Sequence, residues 1–359
     1  HNAASVGYPV YYAESYSKLP DNLREVQPTI FFAVPGVWER FRGRVQERLD
    51  EAHSARKRIA DWAQEVGREV SDLRNRGQEP AGALALKYRL AERLVFSKVK
   101  PLLGLSNARA AVSGAAAIDK GVLEFFSGLD VIIFEVYGQS EGCGPTTFNR
   151  RGATKFGSTG QAWPGSEVRL GPDGEVLMRG PNVFMGYYKD EAATRETLTD
   201  GWLHSGDLGR FDEDGFLTIV GRKKDIIITS GGKNIAPRNI EAALKNLELV
   251  GDAVVVGEGR KYLCALLTLD QEKAERFAEA NGISGAELHT HPRVLEAIQE
   301  GIDGQVNPQF ARVEQVRKFT LLGKPFSIEG GEMTPTLKLK RKAICDMNLA
   351  AIEGMYGDE

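Results

Sequence analysis

At 359 residues the chain has room for about two or three domains of roughly 150 residues each, and its 42% hydrophobic and 26% charged residues fit an ordinary soluble core. Lys and Arg number 46 against 49 Asp and Glu, a net charge of −3 that excludes the one-signed field of a general nucleic-acid binder. Cys143, Cys264 and Cys345 are dispersed without metal-ligand spacing, and no run approaches about 18 apolar residues, so disulfide framework, zinc site and membrane span are all unsupported and a cytoplasmic protein is expected.

In chain order, residues 4–13, rich in Val and Tyr, predict a strand, and TIFFAVP (29–35) a buried strand of a mainly parallel sheet. PDNLREVQP between them predicts a short helix with Asp21 near its start, making a βαβ unit and an α/β fold. The opening HNAASVGYPVYY lacks the basic and apolar regions of a signal peptide, and a chain that starts with His in a β-like run is expected to come from the middle of a longer protein. Over 37–76 the residues Phe41, Val45, Leu49, Ile59, Trp62, Val66 and Val70 recur at helical spacing, as one long or two shorter amphipathic helices. Loop 75–82 leads to a helix over 83–100.

ARAAVSGAAAI (108–118) predicts a strand running into a small-residue turn, DKGVLEFFSGL a helix, and VIIFEVYG (131–138) a strand that breaks into the Gly-rich loop QSEGCGPTTFN. Ligands of open α/β sheets bind at such carboxyl ends of strands. After Gly152 short strands alternate with turns, including a Pro172-Asp173-Gly174 hairpin, which predicts a small antiparallel β subdomain. Residues 201–237 read as strand, charged hinge and strand with polar turns. Beyond them come a helix from Pro237, strands GDAVVVG and YLCALLTLD, two helices, the strand KFTLLG and a lysine-rich tail, together a separate small α+β domain.

Four constellations carry chemistry, each beside a plain structural alternative. Tyr137, Gly138, Ser140 and Glu141 end a strand, where a hydroxyl can hold phosphate, a carboxylate Mg²⁺, and an aromatic face a base; an ordinary strand-to-loop turn is the alternative. Ser113, Gly114 and Ala115 allow close backbone approach to a planar ligand, or tight helix–strand packing. Asp207 can accept the hydroxyls of a ribose and Arg222 can brace the sugar or its phosphate, or the two form a surface salt bridge. Lys338 is either part of a solvated lysine face or an ammonium that stabilises charge developing on a phosphoryl group and an attacking carboxylate.

Together FFAVPGVWERF, VSGAAAI, VYGQSEGCG, GWLHSGDLG, GRKKDIIITSGGKNIAPRNIE and EMTPTLKLKRKAI resemble, in order, the adenylate-forming acyl-CoA synthetase superfamily and its long-chain fatty acid CoA ligase branch. The resemblance implies an α/β large-domain portion (1–150, the adenylate-binding part) with a small antiparallel β subdomain (151–222), followed by a small mobile α+β domain (223–359). It implies a two-step reaction in which ATP and a long-chain fatty acid give an acyl-adenylate and pyrophosphate, and coenzyme A then displaces AMP. Gly114 and Ala115 would line the adenine and acyl pocket, Tyr137 and Gly138 would meet adenine, Ser140 the phosphate, and Glu141 the Mg²⁺. Asp207 and Arg222 would take the ribose hydroxyls, Lys224 would be the hinge, Gly231 and Gly232 would meet pantetheine, and Lys338 would be the catalytic lysine, with Thr334, Thr336, Leu339 and Arg341 in step around it. Homodimerisation and peripheral contact with the inner face of a membrane stay open.

Departures from the family pattern are specific. Its Ser/Thr/Gly-rich phosphate loop is not found in these residues and is expected upstream of residue 1, so the chain alone is expected to lack adenylation. Gly36 stands where the branch usually has Arg, and Leu337 replaces the Gly found before the lysine in shorter-chain relatives. Another acyl- or aryl-adenylating ligase, or a non-catalytic nucleotide-binding derivative, would share the same nucleotide residues.

Overall fold

The computed structural model describes residues 6–15, 17–51, 53–283, 287–334 and 338–357. It divides into two compact units, one running to Ser205 and including Gly209–Ile219, the other Gly206–Leu208 with Val220 onward.

In the first unit α1 (Leu19–Val26) precedes β1 (Ile30–Ala33), and α2 (Pro35–Asp50), α3 (Ser54–Asn75), α4 (Gly82–Ala91), a π-helical turn (Glu92–Phe96) and α5 (Ser97–Leu103) lead to β2 (Ala110–Ser113). Next come α6 (Lys120–Gly128), β3 (Ile133–Gln139), β4 (Gly144–Phe148) and β5 (Gln161–Ala162), and the sheet order is β1-β2-β3-β4-β5. β1, β2 and β3 are parallel, with Ala33 opposite Ser113 and Ser113 opposite Glu135; β4 and β5 are antiparallel. Helical crossovers return each parallel strand to the same edge, which aligns the carboxyl ends of β2 and β3. Trp38 anchors the core: its ring meets Phe126 edge-on at 5.4 Å, and its indole N–H donates to Val112 O at 3.4 Å.

Three sequence expectations change here. Residues 7–13 form no strand, and Tyr11 and Tyr12 are 67% and 89% exposed; alternating Val and Tyr suit a strand, but no strand among the described residues takes up their backbone groups. The first βαβ crossover therefore starts at β1. β1 itself is half-buried, because Phe31 and Ala33 enter the core while Ile30 and Phe32 stay exposed. Residues 139–149 are no open loop: a turn at Ser140–Gly142 reverses the chain through Cys143 (φ 52°) and Gly144 (φ 133°) into β4. The ambiguous stretch 37–76 resolves as two helices.

The antiparallel subdomain comprises β6 (Glu167–Leu170), β7 (Glu175–Arg179), the short α7 (Glu191–Thr197), β8 (Leu198–Thr199), β9 (Trp202–Phe211) and β10 (Leu217–Arg222), in sheet order β10-β9-β7-β6 with β8 on β9. The Pro-Asp-Gly turn forms as the sequence predicts: Gly171 N–H donates to Glu175 O at 2.7 Å, and Gly174 takes φ 82°.

The second unit continues through a 3₁₀ turn (Lys223–Asp225), β11 (Ile227–Ile228), β12 (Asn234–Ile235), α8 (Pro237–Lys245), β13 (Val250–Val256), β14 (Leu263–Leu269), α9 (Gln271–Ala280), α10 (Pro292–Gly301), β15 (Val316–Leu321), α11 (Arg341–Met347) and α12 (Leu349–Tyr356). Its sheet order is β13-β14-β15, and all of β14 is buried because helices cover both faces. Ala253, Val255, Ala265 and Leu267 point into one core with Ile240, Leu244 and Ile298, while Val254, Val256, Cys264 and Leu266 enter another with Ile344 and Ile352.

Candidate functional site

At the carboxyl end of β2 the chain needs a residue without a side chain. A Cβ on Gly114 would lie 2.6 Å from Val136 Cγ1 and 3.2 Å from the Phe32 ring, and Ala115 next to it is exposed in the left-handed region at φ 69°. On the neighbouring strand Tyr137 is half-buried and Gly138 exposed; a Cβ at Gly138 would come within 2.0 Å of Gly144 O, so close pairing of β3 with β4 also requires glycine. Ser113 and Glu135 sit side by side beneath these ends. The Ser113 hydroxyl is buried with no hydrogen-bond partner among the described residues, and burial pushes the Glu135 carboxyl up to about 8 although Gly157 N–H donates to it at 2.9 Å.

The turn after β3 carries Ser140, exposed, and Glu141, half-buried. It is held by the segment beyond β7: Asn182 donates to Gly142 O at 2.8 Å, Phe184 N–H to Glu141 O at 2.7 Å, and the Tyr187 hydroxyl to Glu141 Oε1 at 2.7 Å. That carboxylate raises the pKa of the Tyr187 hydroxyl. Glu141 Oε2 makes no hydrogen bond among the described residues, which suits one carboxylate ligand of a Mg²⁺ otherwise coordinated by phosphate and water; no cluster of three or more protein ligands occurs among those residues. Sequence reasoning missed Tyr187 and Asn182, since nothing in the local run FMGYYKD ties it to a turn 46 residues away.

In the second unit Asp207, mostly buried, meets the exposed Arg222 across 3.3 Å (Oδ1 to Nε). A pair with one solvated partner contributes little to stability, but it fixes a carboxylate and a guanidinium side by side. Lys224 lies exposed in the turn two residues on. Gly231 and Gly232 occupy the exposed turn between β11 and β12, closed by Thr229 N–H to Lys233 O at 3.1 Å, and open space lies where a Cβ on Gly232 would be.

Lys338 is exposed: its N–H donates to Thr334 Oγ1 at 3.0 Å, Thr334 N–H donates to Lys338 O at 2.8 Å, and Met333 bridges Leu339. Thr336 and Leu337 lie outside the described residues. Arg341, at the start of α11, donates to Val255 O at 2.7 Å and to Glu241, whose carboxyl is raised by burial. Gly114, Ala115, Tyr137, Gly138, Ser140 and Glu141 thus belong to the first unit, and Asp207, Arg222, Lys224, Gly231, Gly232 and Lys338 to the second.

Residues 2–188 match the family model described as AMP-binding enzyme, and residues 224–359 that of the AMP-binding enzyme C-terminal domain. The whole chain is 37% identical to long-chain-fatty-acid–CoA ligase FadD15 of Mycobacterium tuberculosis, covering 59% of that protein. Over 93% of its length it is 38% identical to long-chain-fatty-acid–CoA ligase ACSBG2 of Mus musculus, covering 54% of it. Among solved structures it resembles the adenylation domain of a carboxylate reductase from Mycobacterium chelonae, at 21% identity and a TM-score of 0.67, over 96% of this chain and 49% of that one. It also resembles O-succinylbenzoate coenzyme A synthetase of Bacillus subtilis in complex with ATP and magnesium ion, at 21% identity and a TM-score of 0.57, over 91% of this chain and 54% of that one. The chain spans about half the length of the relatives it matches.

Proposed function

The chain belongs to the AMP-binding enzyme family, and from that membership we propose that it works within an ATP-dependent, AMP-forming long-chain fatty acid CoA ligase. The observation that carries the reading is identity of 37–38%, along 93% or more of this chain, with proteins named long-chain-fatty-acid–CoA ligases.

In the first step a fatty carboxylate oxygen attacks the α-phosphorus of ATP, the bond to the β-phosphate oxygen breaks, and pyrophosphate leaves. Tyr137 offers a ring face to adenine, and Gly114 and Gly138 let the strand ends beside it pack closely. Asp207 accepts hydrogen bonds from the ribose hydroxyls while Arg222 braces the carboxylate and the sugar. Ser140 donates to a phosphate oxygen. Glu141 would hold Mg²⁺, which supplies positive charge beside the phosphate oxygens when bound. Lys338 places an ammonium where charge develops on the attacking carboxylate and the α-phosphate.

In the second step the thiolate of coenzyme A attacks the acyl carbon and AMP leaves with the electron pair of the broken bond. Gly231 and Gly232 give the thiol arm a turn without side chains to pass along. Lys224, exposed between the ribose pair and that turn, is assigned as the hinge that exchanges Lys338 for the glycine turn.

Steady-state assay of the full-length protein tests this with ATP, Mg²⁺, coenzyme A and acids from octanoate to arachidonate, beside benzoate. Acyl-CoA and AMP formation from palmitate is expected. Turnover of benzoate but no fatty acid would instead identify an aryl-adenylating ligase, and AMP binding without any turnover a non-catalytic derivative.

A further inference from the structure

The glycine turn between β11 and β12 leans on a second turn, residues 257–262, which joins β13 to β14. Ser230 N–H, next to Gly231, donates to Arg260 O at 2.9 Å, and Gly259 N–H donates to Ile228 O at 2.8 Å. Ile228 N–H donates to the Glu258 carboxylate at 2.9 Å, so β11 and the entry to the glycine turn are tied to a segment 30 residues later. Gly231 and Gly232 have no side chains to anchor them, and Gly232 takes φ 70°; the shape of so free a backbone depends on what its neighbours hold in place.

Helix α12 holds the second turn. Arg260 pairs with Glu353, and its guanidinium lies 4.7 Å from the centre of the Tyr356 ring. The Tyr356 hydroxyl lies 3.1 Å from both Val256 O and Tyr262 O, and the Tyr262 hydroxyl donates to Met355 O at 3.1 Å. Tyr356 is buried and docks the helix. The Arg260 and Glu353 side chains, by contrast, are 32% and 60% exposed, and an ion pair so solvated contributes little to stability. What the pair fixes is the direction of Arg260, the residue whose carbonyl receives Ser230 N–H.

We propose that Arg260 and Glu353 are positioning residues for coenzyme A. Through Arg260 O they hold Ser230, and with it the glycine turn, in the form along which the thiol arm passes. The proposal rests on the ligase reading and deepens it, because it assigns to the second half-reaction alone a pair contributed by the β13–β14 turn and α12. Adenylation, which draws on Lys338 and the first unit, does not depend on it.

Two single-turnover assays on the full-length protein test this, one following acyl-adenylate formation from ATP and palmitate, the other acyl-CoA formation from supplied palmitoyl-adenylate over a range of coenzyme A. Arg260→Ala and Glu353→Ala are each expected to raise the coenzyme A concentration at half-maximal rate roughly fivefold, with adenylation and thermal melting unchanged. Arg260→Lys keeps an ion pair and a cation over Tyr356, and should stay within about twofold of the wild type. If Arg260→Ala melts early, Glu353→Ala decides, since its side chain is mostly in water. Equal losses in both assays, alanine variants with the wild-type coenzyme A dependence, or a lysine variant as impaired as the alanine one would overturn the proposal. A wild type that makes no palmitoyl-CoA removes the ligase reading and the proposal together, an outcome distinct from a wild type that turns over while its variants match it.

Discussion

The Tyr187 hydroxyl donates to Glu141 Oε1 across 2.7 Å, fastening the carboxylate proposed to hold Mg²⁺ to a loop 46 residues later in the chain. Partners of this kind orient a ligand and tune its affinity for metal. In the full-length protein, Tyr187→Phe is therefore expected to raise the Mg²⁺ concentration needed for half-maximal ATP binding by roughly tenfold while AMP affinity stays unchanged. Calorimetric titration of ATP at stepped Mg²⁺ checks this. Equal loss of AMP and Mg²⁺-ATP binding would mean the hydroxyl only supports the fold.

A second prediction concerns stability. Asp130, in the left-handed region at φ 60°, is nearly buried and accepts from Arg74 at 2.9 Å, from the Tyr88 hydroxyl at 3.0 Å and from Lys100. It joins α3, α4 and α5 to the turn before β3. Among the described residues, Asp130→Ala leaves Arg74 with only the exposed Glu79 at 3.1 Å, and Lys100 with only Glu92 at 3.6 Å, as counter-charges, and should cost about 1–3 kcal/mol, read as a lower urea midpoint at constant slope. An unchanged midpoint would show that the cations find solvent at no cost.

Glu135 sets a pH dependence. Burial pushes its carboxyl up to about 8 in the folded protein, well above its unfolded value. The folded chain then holds a proton that the unfolded chain releases, so this contribution is fully present below the unfolded pKa and is lost as pH rises toward about 8. The loss is at most about 1.4 kcal/mol per pH unit within that window. Glu135→Gln stays neutral and should flatten the decline; urea midpoints of both proteins at pH 5 and pH 8 measure it. Parallel declines would assign the pH dependence to other groups.

Much of the second unit was legible because its signals are local. Pro237 starts α8, and the unbroken apolar run of β14 marks a strand covered on both faces; in the first unit Pro172-Asp173-Gly174 is an equally local signal and makes its hairpin. Residues 7–13 misled because alternation reports what a strand would bury and says nothing of whether a partner strand exists. The reversal after Ser140 was hidden because Cys143 takes a positive φ that cysteine rarely adopts. At the site, Gly114, Tyr137 and Glu141 stood out as sequence neighbours of strand ends, whereas Tyr187, Asp130 and the Glu241–Arg341 pair act only through contacts between distant segments.

Lys338 carries the central claim, since it is assigned to one half-reaction alone. The residue is exposed and its backbone N–H, not its side chain, bonds Thr334, so truncation should leave the fold intact. The decisive measurement is a pair of single-turnover assays on the full-length Lys338→Ala protein, one following acyl-adenylate formation from ATP and palmitate, the other acyl-CoA formation from supplied palmitoyl-adenylate. Adenylation should fall by about a hundredfold or more while thioester formation is retained; equal loss in both assays would contradict the account.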